Sequence, residues 1–318
     1  MDNTTGTMGD SSPLVSVIIT TYNRPDKLNV AIKSVIAQTY KNIELIVVDD
    51  SSDYDVSETI KDFSDQVQLY VNNENRGANW SRARGISIAR GKYVCFLDDD
   101  DIWIPTKVEE QVDIAEQSTH SNVAVFSPYL IGKNVVSPPS WNKEQLVKSL
   151  LLGRNPLGGF SMIMVSYELI TNIGLPDIHL SNSQDLEWYI RIAQKGDVKI
   201  GKQPVVVYNN EGSDRITSKK KKDISDDYEK VIEIYSEVIE GYGHNFRKRV
   251  ESRKHHKLAR YALESGQFAT SKEQSLIAIR HNPTYIKSYI LLLISSTGPL
   301  GYRISKTLRD KIPIKLSI

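Results

Sequence analysis

A single cysteine, Cys95, occurs in the whole chain of 318 residues. That excludes an intramolecular disulfide, and its place inside the apolar run Tyr93–Leu97 marks it as a packing residue rather than a nucleophile. An excess of one charge is missing too. The 40 basic and 39 acidic side chains leave a net charge of +1, whereas a general nucleic-acid binder is usually basic, so no nucleic-acid partner is expected. Long hydrophobic runs are absent: Ile290–Ile294 falls far short of the roughly 20 apolar residues that cross a bilayer. Met1–Ser12 has neither a basic start nor an apolar core, so it does not read as a signal peptide, and residues 1–12 are expected to be disordered. These absences place the expected catalytic part in the cytoplasm.

What is present is a regular alternation of short apolar runs and helical periodicity. Val15–Thr20 reads as a buried strand, and Pro25 opens a helix with Leu28, Ile32, Val35 and Ile36 at helical spacing. Strand Ile43–Val48, helix Val56–Phe63, strand Val67–Val71, helix Trp80–Ala89 and strand Tyr93–Leu97 follow. This β-α-β-α-β-α-β order with short connections predicts an α/β fold with a doubly wound, mostly parallel sheet. Farther on, a helix after Pro105, a strand over Val123–Ile131, a strand-like Phe160–Val165, a helix over Leu186–Ala193 and a late strand at Val205–Tyr208 are expected. Near Ser218 the texture changes. The lysine run Lys219–Lys222 opens a region that reads as helical almost to the end, broken at Gly241 and Gly243. The expected organisation is an α/β domain over 13–218 and a helical region over 219–318. The latter contains one tetratricopeptide-like hairpin within 255–294. Its tail mixes Tyr289, Leu291–Leu293 and Tyr302 with Lys287, Arg303, Lys306, Arg309 and Lys311. That pattern fits a peripheral membrane-surface element and an ordinary core-packing helix equally well.

The most informative feature is Asp98–Asp101, four aspartates directly after the strand Tyr93–Leu97. Burying unpaired carboxylates costs several kcal/mol, and their mutual repulsion adds to it. A divalent cation with a phosphate on its open side is one resolution, and strand ends are where open α/β sheets bind ligands. The alternative is a solvated acidic turn capping a helix that starts near Ile104.

Several blocks together resemble the inverting family 2 glycosyltransferases. They are Ser16–Arg24; Ile46–Ser52; the run from Asn75 through Arg76, Gly77, Arg82 and Gly85 to Tyr93; and Phe96–Pro105, which is similar to the family's strand, Asp-x-Asp-Asp, aromatic and Pro block. Gln184–Arg191 is similar to the family's Glu-Asp-x-x-Leu-x-x-Arg helix. The resemblance spans about residues 13–215 and implies a GT-A, Rossmann-like fold that takes a nucleotide sugar donor, UDP favoured. It implies Asp185 as the catalytic base. It also implies Asp100 and Asp98 as the Asp-x-Asp pair for Mn²⁺ or Mg²⁺, with Asp98 also near the ribose, and Arg82 near the nucleotide phosphates. Beside the resemblance, Tyr22 at the first strand end can stack on a base, and Thr20 with Asp49 or Asp50 can bond its edge. Glu187 is a second candidate base. Trp103 and Trp188 fit an acceptor cleft or core packing equally. Two departures stand out: Gln184 replaces the family's usual Glu, and Tyr208–Glu211 lacks the histidine some relatives add as a metal ligand.

The function expected is transfer of a sugar to a hydroxyl of a glycan acceptor, a polyprenyl- or dolichyl-phosphate-linked oligosaccharide in protein glycosylation or surface polysaccharide assembly. A nucleotidyltransferase is disfavoured because Thr20–Asp26 contains no glycine and one arginine, where a triphosphate needs a glycine-rich basic loop. The other reading is a non-catalytic glycan- or partner-binding module on the same fold, which would not need Asp185.

Overall fold

The computed structural model describes residues 12–180, 184–209 and 221–311. Residues 1–11, Asn210, Glu211, the boundary at 218 and 219, Lys219 and Lys220 lie outside the described residues. The described chain forms two compact units. One holds the residues up to Val147, Asn155–Leu180 and those from Gln184 onward to Asn209; the other holds Lys148–Arg154 and the helices from Lys221.

The first unit is built on a seven-stranded sheet. Its strands are β1 (Val15–Thr21), β2 (Ile43–Asp49), β3 (Val67–Val71), β4 (Tyr93–Asp98), β6 (Val123–Phe126), β9 (Ile163–Ser166) and β10 (Asp197–Ile200), in the order β10-β6-β9-β4-β1-β2-β3. β1 pairs in parallel with both β2 and β4, and β2 with β3. All seven residues of β1 are buried, which fits its largely apolar, β-branched composition. The parallel half is joined by α1 (Pro25–Ile36), α2 (Val56–Ile60) and α3 (Ala78–Ile88). Gly91 lies hard against β1: a Cβ there would sit 2.6 Å from the backbone nitrogen of Ser16 and 2.8 Å from the carbonyl of Leu14.

The second half of this unit departs from the sequence reading. Val123–Ile131 is not one strand. It breaks at Pro128, which has no N–H to give a ladder, and continues as β7 (Tyr129–Ile131) in a separate four-stranded sheet. That sheet also contains β8 (Asn134–Val136), β5 (Ile102–Trp103) and β11 (Val206–Val207). Because Ile102–Trp103 pairs with Val206–Val207, helix α4 starts at Lys107 and runs to Glu116, not from Ile104. Phe160–Met162 is a 3₁₀ turn, so β9 is short, and it runs antiparallel to both β4 and β6. Helices α5 (Lys143–Leu151), α6 (Tyr167–Ile173) and α7 (Gln184–Lys195) complete the count. Five aromatic rings anchor α7 to the sheet. Phe96 lies edge-on to Phe160 and Trp188 at 5.5 and 5.7 Å, and Phe126 edge-on to Tyr189 at 4.9 Å.

The second unit is helical: α8 (Lys221–Ile234), α9 (Ser236–Gly241), α10 (His244–Glu264), α11 (Phe268–His281), α12 (Ile286–Ser296) and α13 (Gly298–Lys311). α10 and α11 form the expected hairpin, turning at Gly266 with φ +75°, a value that favours glycine. Ala259, Leu263 and Leu291 form its small core, with Phe268, Ile294 and Tyr302 packed against it. Tyr228 is buried and donates to the carbonyl of Leu151 at 2.8 Å. No helix among the described residues is long and apolar enough to cross a membrane.

Candidate active site

Parallel pairing brings the polar motifs together. Thr20 lies beside Val48 on β2 and Asp98 on β4, and Thr21 beside Asp49. The C-terminal ends of β1, β2 and β4 therefore share one edge, as the doubly wound order requires. The two loops leaving β1 and β2 are clipped together. Asn23, in the left-handed region at φ 54°, donates from Nδ2 to Asp53 at 2.7 Å and accepts from the Asp53 backbone N–H at 2.8 Å. Tyr22, at the head of this loop, is exposed; Thr20 is buried.

The two aspartates ending β2 have different surroundings. Asp50 is buried and accepts from Asn72, from the Ser81 hydroxyl and from the backbone N–H groups of Arg76 and Gly77, at 2.7–3.1 Å. It organises the turn that starts α3, where Gly77 takes φ +90°. Asp49, also buried, accepts from the backbone N–H and the hydroxyl of Ser52. Asp49 therefore stands at the β1–β2 loop pair and Asp50 at the turn beyond it.

The four carboxylates at the C-terminal end of β4 are answered by two guanidinium groups as well as by hydrogen bonds. Arg82 Nη2 lies 2.5 Å from Asp98 Oδ1. Arg24 Nη1 lies 2.8 Å from Asp99 Oδ1 and 3.4 Å from Asp100 Oδ2. Thr21 donates to Asp99 at 2.9 Å. Burial nevertheless pushes the buried Asp99 carboxyl up to about 6, against the pull of Arg24 and Thr21. Asp101 is buried as well and accepts from the backbone N–H of Asn209 at 3.1 Å. Burial and then the charges of Asp98 and Asp100 hold its pKa well above the ordinary carboxylate range. Asp98 and Asp100 are the more accessible pair, with side chains 31% and 16% exposed. Arg24 was not among the residues singled out from the sequence. Its only signal was a basic side chain just beyond a strand end that faces an acidic one.

Arg82 does more than neutralise Asp98. It is buried on α3, its guanidinium lies 4.1 Å from the centre of the Phe160 ring, and Nη1 donates to Asn79 at 3.2 Å and to Gln184 Oε1 at 3.3 Å. Its Nε–H is buried with no hydrogen-bond partner among the described residues. A continuous polar chain thus runs from Asp98 through Arg82 to Gln184, the first residue of α7. The glutamine that departs from the family pattern accepts from this arginine as a neutral amide.

Asp185 follows, in the first turn of α7. It accepts from the backbone N–H of Leu186 at 2.8 Å and from Asn155 Nδ2 at 2.6 Å. Burial raises its pKa above the usual value, while the Leu186 N–H, Asn155 and the charge of Arg82 hold it down. Asn155 also donates to the carbonyl of Gly158 at 2.8 Å, tying the base candidate to the glycine loop, where Gly158 takes φ +85°. Sequence reasoning did not find Asn155, which lies thirty positions from Asp185. Glu187 is buried and bound by both Arg191 Nε (2.9 Å) and Nη2 (2.6 Å), so its carboxylate is committed to a fork pair on its own helix. Trp103 and Trp188 are both buried, with indole N–H groups bonded to the carbonyls of Ser161 and Gly174. Both are packing residues, and neither lines a cleft.

The chemistry of this donor set fits a divalent cation that arrives with a phosphate. No group of three His, Cys, Asp or Glu side chains among the described residues could hold a metal by itself. The pair Asp98 and Asp100 offers hard oxygen ligands, and Mg²⁺-type ions typically use one or two carboxylates plus substrate phosphates.

The family model described as glycosyl transferase family 2 matches residues 16–171. A UDP-Glc:alpha-D-GlcNAc-diphosphoundecaprenol beta-1,3-glucosyltransferase of Escherichia coli, WfaP, is 32% identical over 188 residues, covering 58% of this chain and 71% of its own length. A second Escherichia coli enzyme with the same activity in its name, WfgD, is 32% identical over 167 residues, 49% of this chain and 66% of that protein. Among solved structures, residues 1–349 of TarS from S. aureus in complex with UDP-GlcNAc superpose with a TM-score of 0.62 at 13% identity, covering 89% of this chain and 92% of that one. At that identity the likeness is one of fold, and it identifies the GT-A architecture.

Proposed function

The chain belongs to glycosyl transferase family 2, and we propose that it moves a sugar from a UDP-sugar to a hydroxyl of a glycan carried on a polyprenyl diphosphate. The observation that carries this reading is the polar chain from Asp98 through Arg82 and Gln184 to the first turn of α7, which joins a diphosphate-type acidic strand end to one elevated carboxylate. The names of the two Escherichia coli relatives support the lipid-linked acceptor, and the UDP-GlcNAc complex on the same fold supports the donor class.

In this mechanism Tyr22 stacks on the base, and Asp49 with Thr20 reads its edge. Asp100 and Asp98 would hold Mn²⁺ or Mg²⁺, which would supply Lewis-acid stabilisation of the departing diphosphate. Asp185 takes the proton of the acceptor hydroxyl as its oxygen attacks the anomeric carbon. The bond to the nucleoside diphosphate breaks on the opposite face, and the configuration inverts. A raised pKa suits this role, because a base near the operating pH balances protonation state against driving force. Asn155 fixes the carboxylate's orientation and Arg82 fixes Asp98, so each is a positioning residue.

The test is transfer from a panel of UDP-sugars to a synthetic polyprenyl diphosphate GlcNAc, with wild type and Asp185→Asn. The expected outcome is a loss of roughly 10²–10⁴-fold in turnover for the variant, with UDP binding retained. Equal function in both proteins would replace the enzyme reading with that of a binding module.

A further inference from the structure

Helices α12 and α13 each turn large apolar side chains outward. Ile286, Tyr289 and Leu293 are spaced three and four apart, hence on one face of α12, and are 72%, 43% and 68% exposed. Leu300 and Ile304, four apart on α13, are 69% and 52% exposed. The fold of this unit uses the other sides of both helices. Ser288, Leu291 and Ser295 of α12 are buried, and Tyr302 of α13 packs edge-on against Phe268. The outward apolar side chains are therefore not needed to close the core. Large apolar side chains left outward on neighbouring helices mark an interaction site.

Charge decides the occupant. Residues 285–311 contain five basic side chains (Lys287, Arg303, Lys306, Arg309 and Lys311) and one acidic one (Asp310), a net of +4. Arg303 and Lys306 are exposed, and Arg303 follows Leu300 by three residues, on the same side of α13. Behind α12, burial and then the charges of Arg253, Arg154 and Arg260 lower the pKa of Lys287, so the positive field extends into the body of the unit. A second copy placing the same face against this one would oppose like charges, and protein interfaces are depleted in lysine. An anionic bilayer supplies both the apolar boundary and the negative charge.

We propose that α12 and α13 dock on an anionic membrane surface. Ile286, Tyr289, Leu293, Leu300 and Ile304 enter the boundary between headgroups and acyl chains, and Arg303 meets lipid phosphates. The inference stands on this surface and not on the transfer reaction.

The test uses the full chain in flotation with vesicles of phosphatidylglycerol in phosphatidylcholine, and with phosphatidylcholine alone, without donor or acceptor. The expected result is salt-sensitive binding to the anionic vesicles only. It should weaken at least about tenfold in Leu293→Glu with Ile304→Glu, and several-fold in Arg303→Glu, with circular dichroism and melting temperature unchanged. All three positions are exposed, so the variants should fold. Failure of wild type to float with anionic vesicles, or equal binding by the variants, overturns the proposal. A dimer in light scattering that Leu293→Glu with Ile304→Glu dissociates, with lipid binding unaffected, assigns the face to a second copy instead. None of these outcomes reads donor turnover, so the transferase reading can fail or survive separately.

Discussion

Asn155 Nδ2 reaches Asp185 Oδ2 at 2.6 Å and the Gly158 carbonyl at 2.8 Å, so one loop amide orients the carboxylate at the start of α7. This hydrogen bond opposes the burial that raises the Asp185 pKa. A general base works deprotonated, so activity is present above its pKa and lost as pH falls through it. Removing the amide in Asn155→Ala should raise the pKa further and move the acid limb of the kcat profile to higher pH, with roughly a tenfold loss at neutral pH. Asn155→Gln should recover part of the rate. An acid limb that stays in place would remove Asn155 from this role.

Arg82 holds Asp98 at 2.5 Å and stacks on Phe160 at 4.1 Å. In Arg82→Ala the carboxylate and the ring both lose their partner. Breaking a buried pair costs about 3–5 kcal/mol, and the partial exposure of Asp98 reduces this to about 2–3 kcal/mol. Urea unfolding should show a lower midpoint at an unchanged slope. Arg82→Lys keeps the charge but loses the fork that also reaches Asn79 and Gln184, and should fall between the two.

His256, in the helical unit, gives a stability prediction of defined sign. It is buried beside Ser288 and Tyr285, and burial, then Arg253, Arg260, Lys287 and Lys257, lower its pKa from 6.5 to about 3. The unfolded chain therefore takes up the proton first. Stability is full above 6.5 and is lost as pH falls from there towards 3. The loss between about pH 7.5 and about pH 5 should be about 2 kcal/mol. His256→Gln, which keeps a hydrogen-bonding side chain but does not titrate, should remove that contribution, measured by denaturant unfolding across pH.

The parallel half of the sheet was legible because each strand is a short apolar run and each polar motif sits at its end. Register then places Thr20 beside Asp98 with no further information. The second half was less legible for local reasons. β10 is only half-buried and carries Lys199, so no apolar run marks it. The antiparallel direction of β9 depends on pairing with β4 and β6, which no periodicity records. Residues acting on their own helix or strand end, such as Asp98 and Asp185, carry their motif with them. Arg24 and Asn155 act across loops, and only packing shows what they touch. The tail was ambiguous because its apolar residues lie on different faces: Leu291 packs inward while Leu293 points out.

The most direct test of the central claim is a thermal-shift titration with UDP, GDP and dTDP, each with and without Mn²⁺, on wild type and Asp100→Ala. A ligand at 100 times its dissociation constant adds about 2.7 kcal/mol to apparent stability. UDP with Mn²⁺ should therefore raise the melting temperature by several degrees, and the shift should vanish without the metal or in Asp100→Ala. No shift with any of the three nucleotides, or a UDP shift indifferent to both metal and Asp100, would contradict the assignment of Asp98–Asp101 as the diphosphate site.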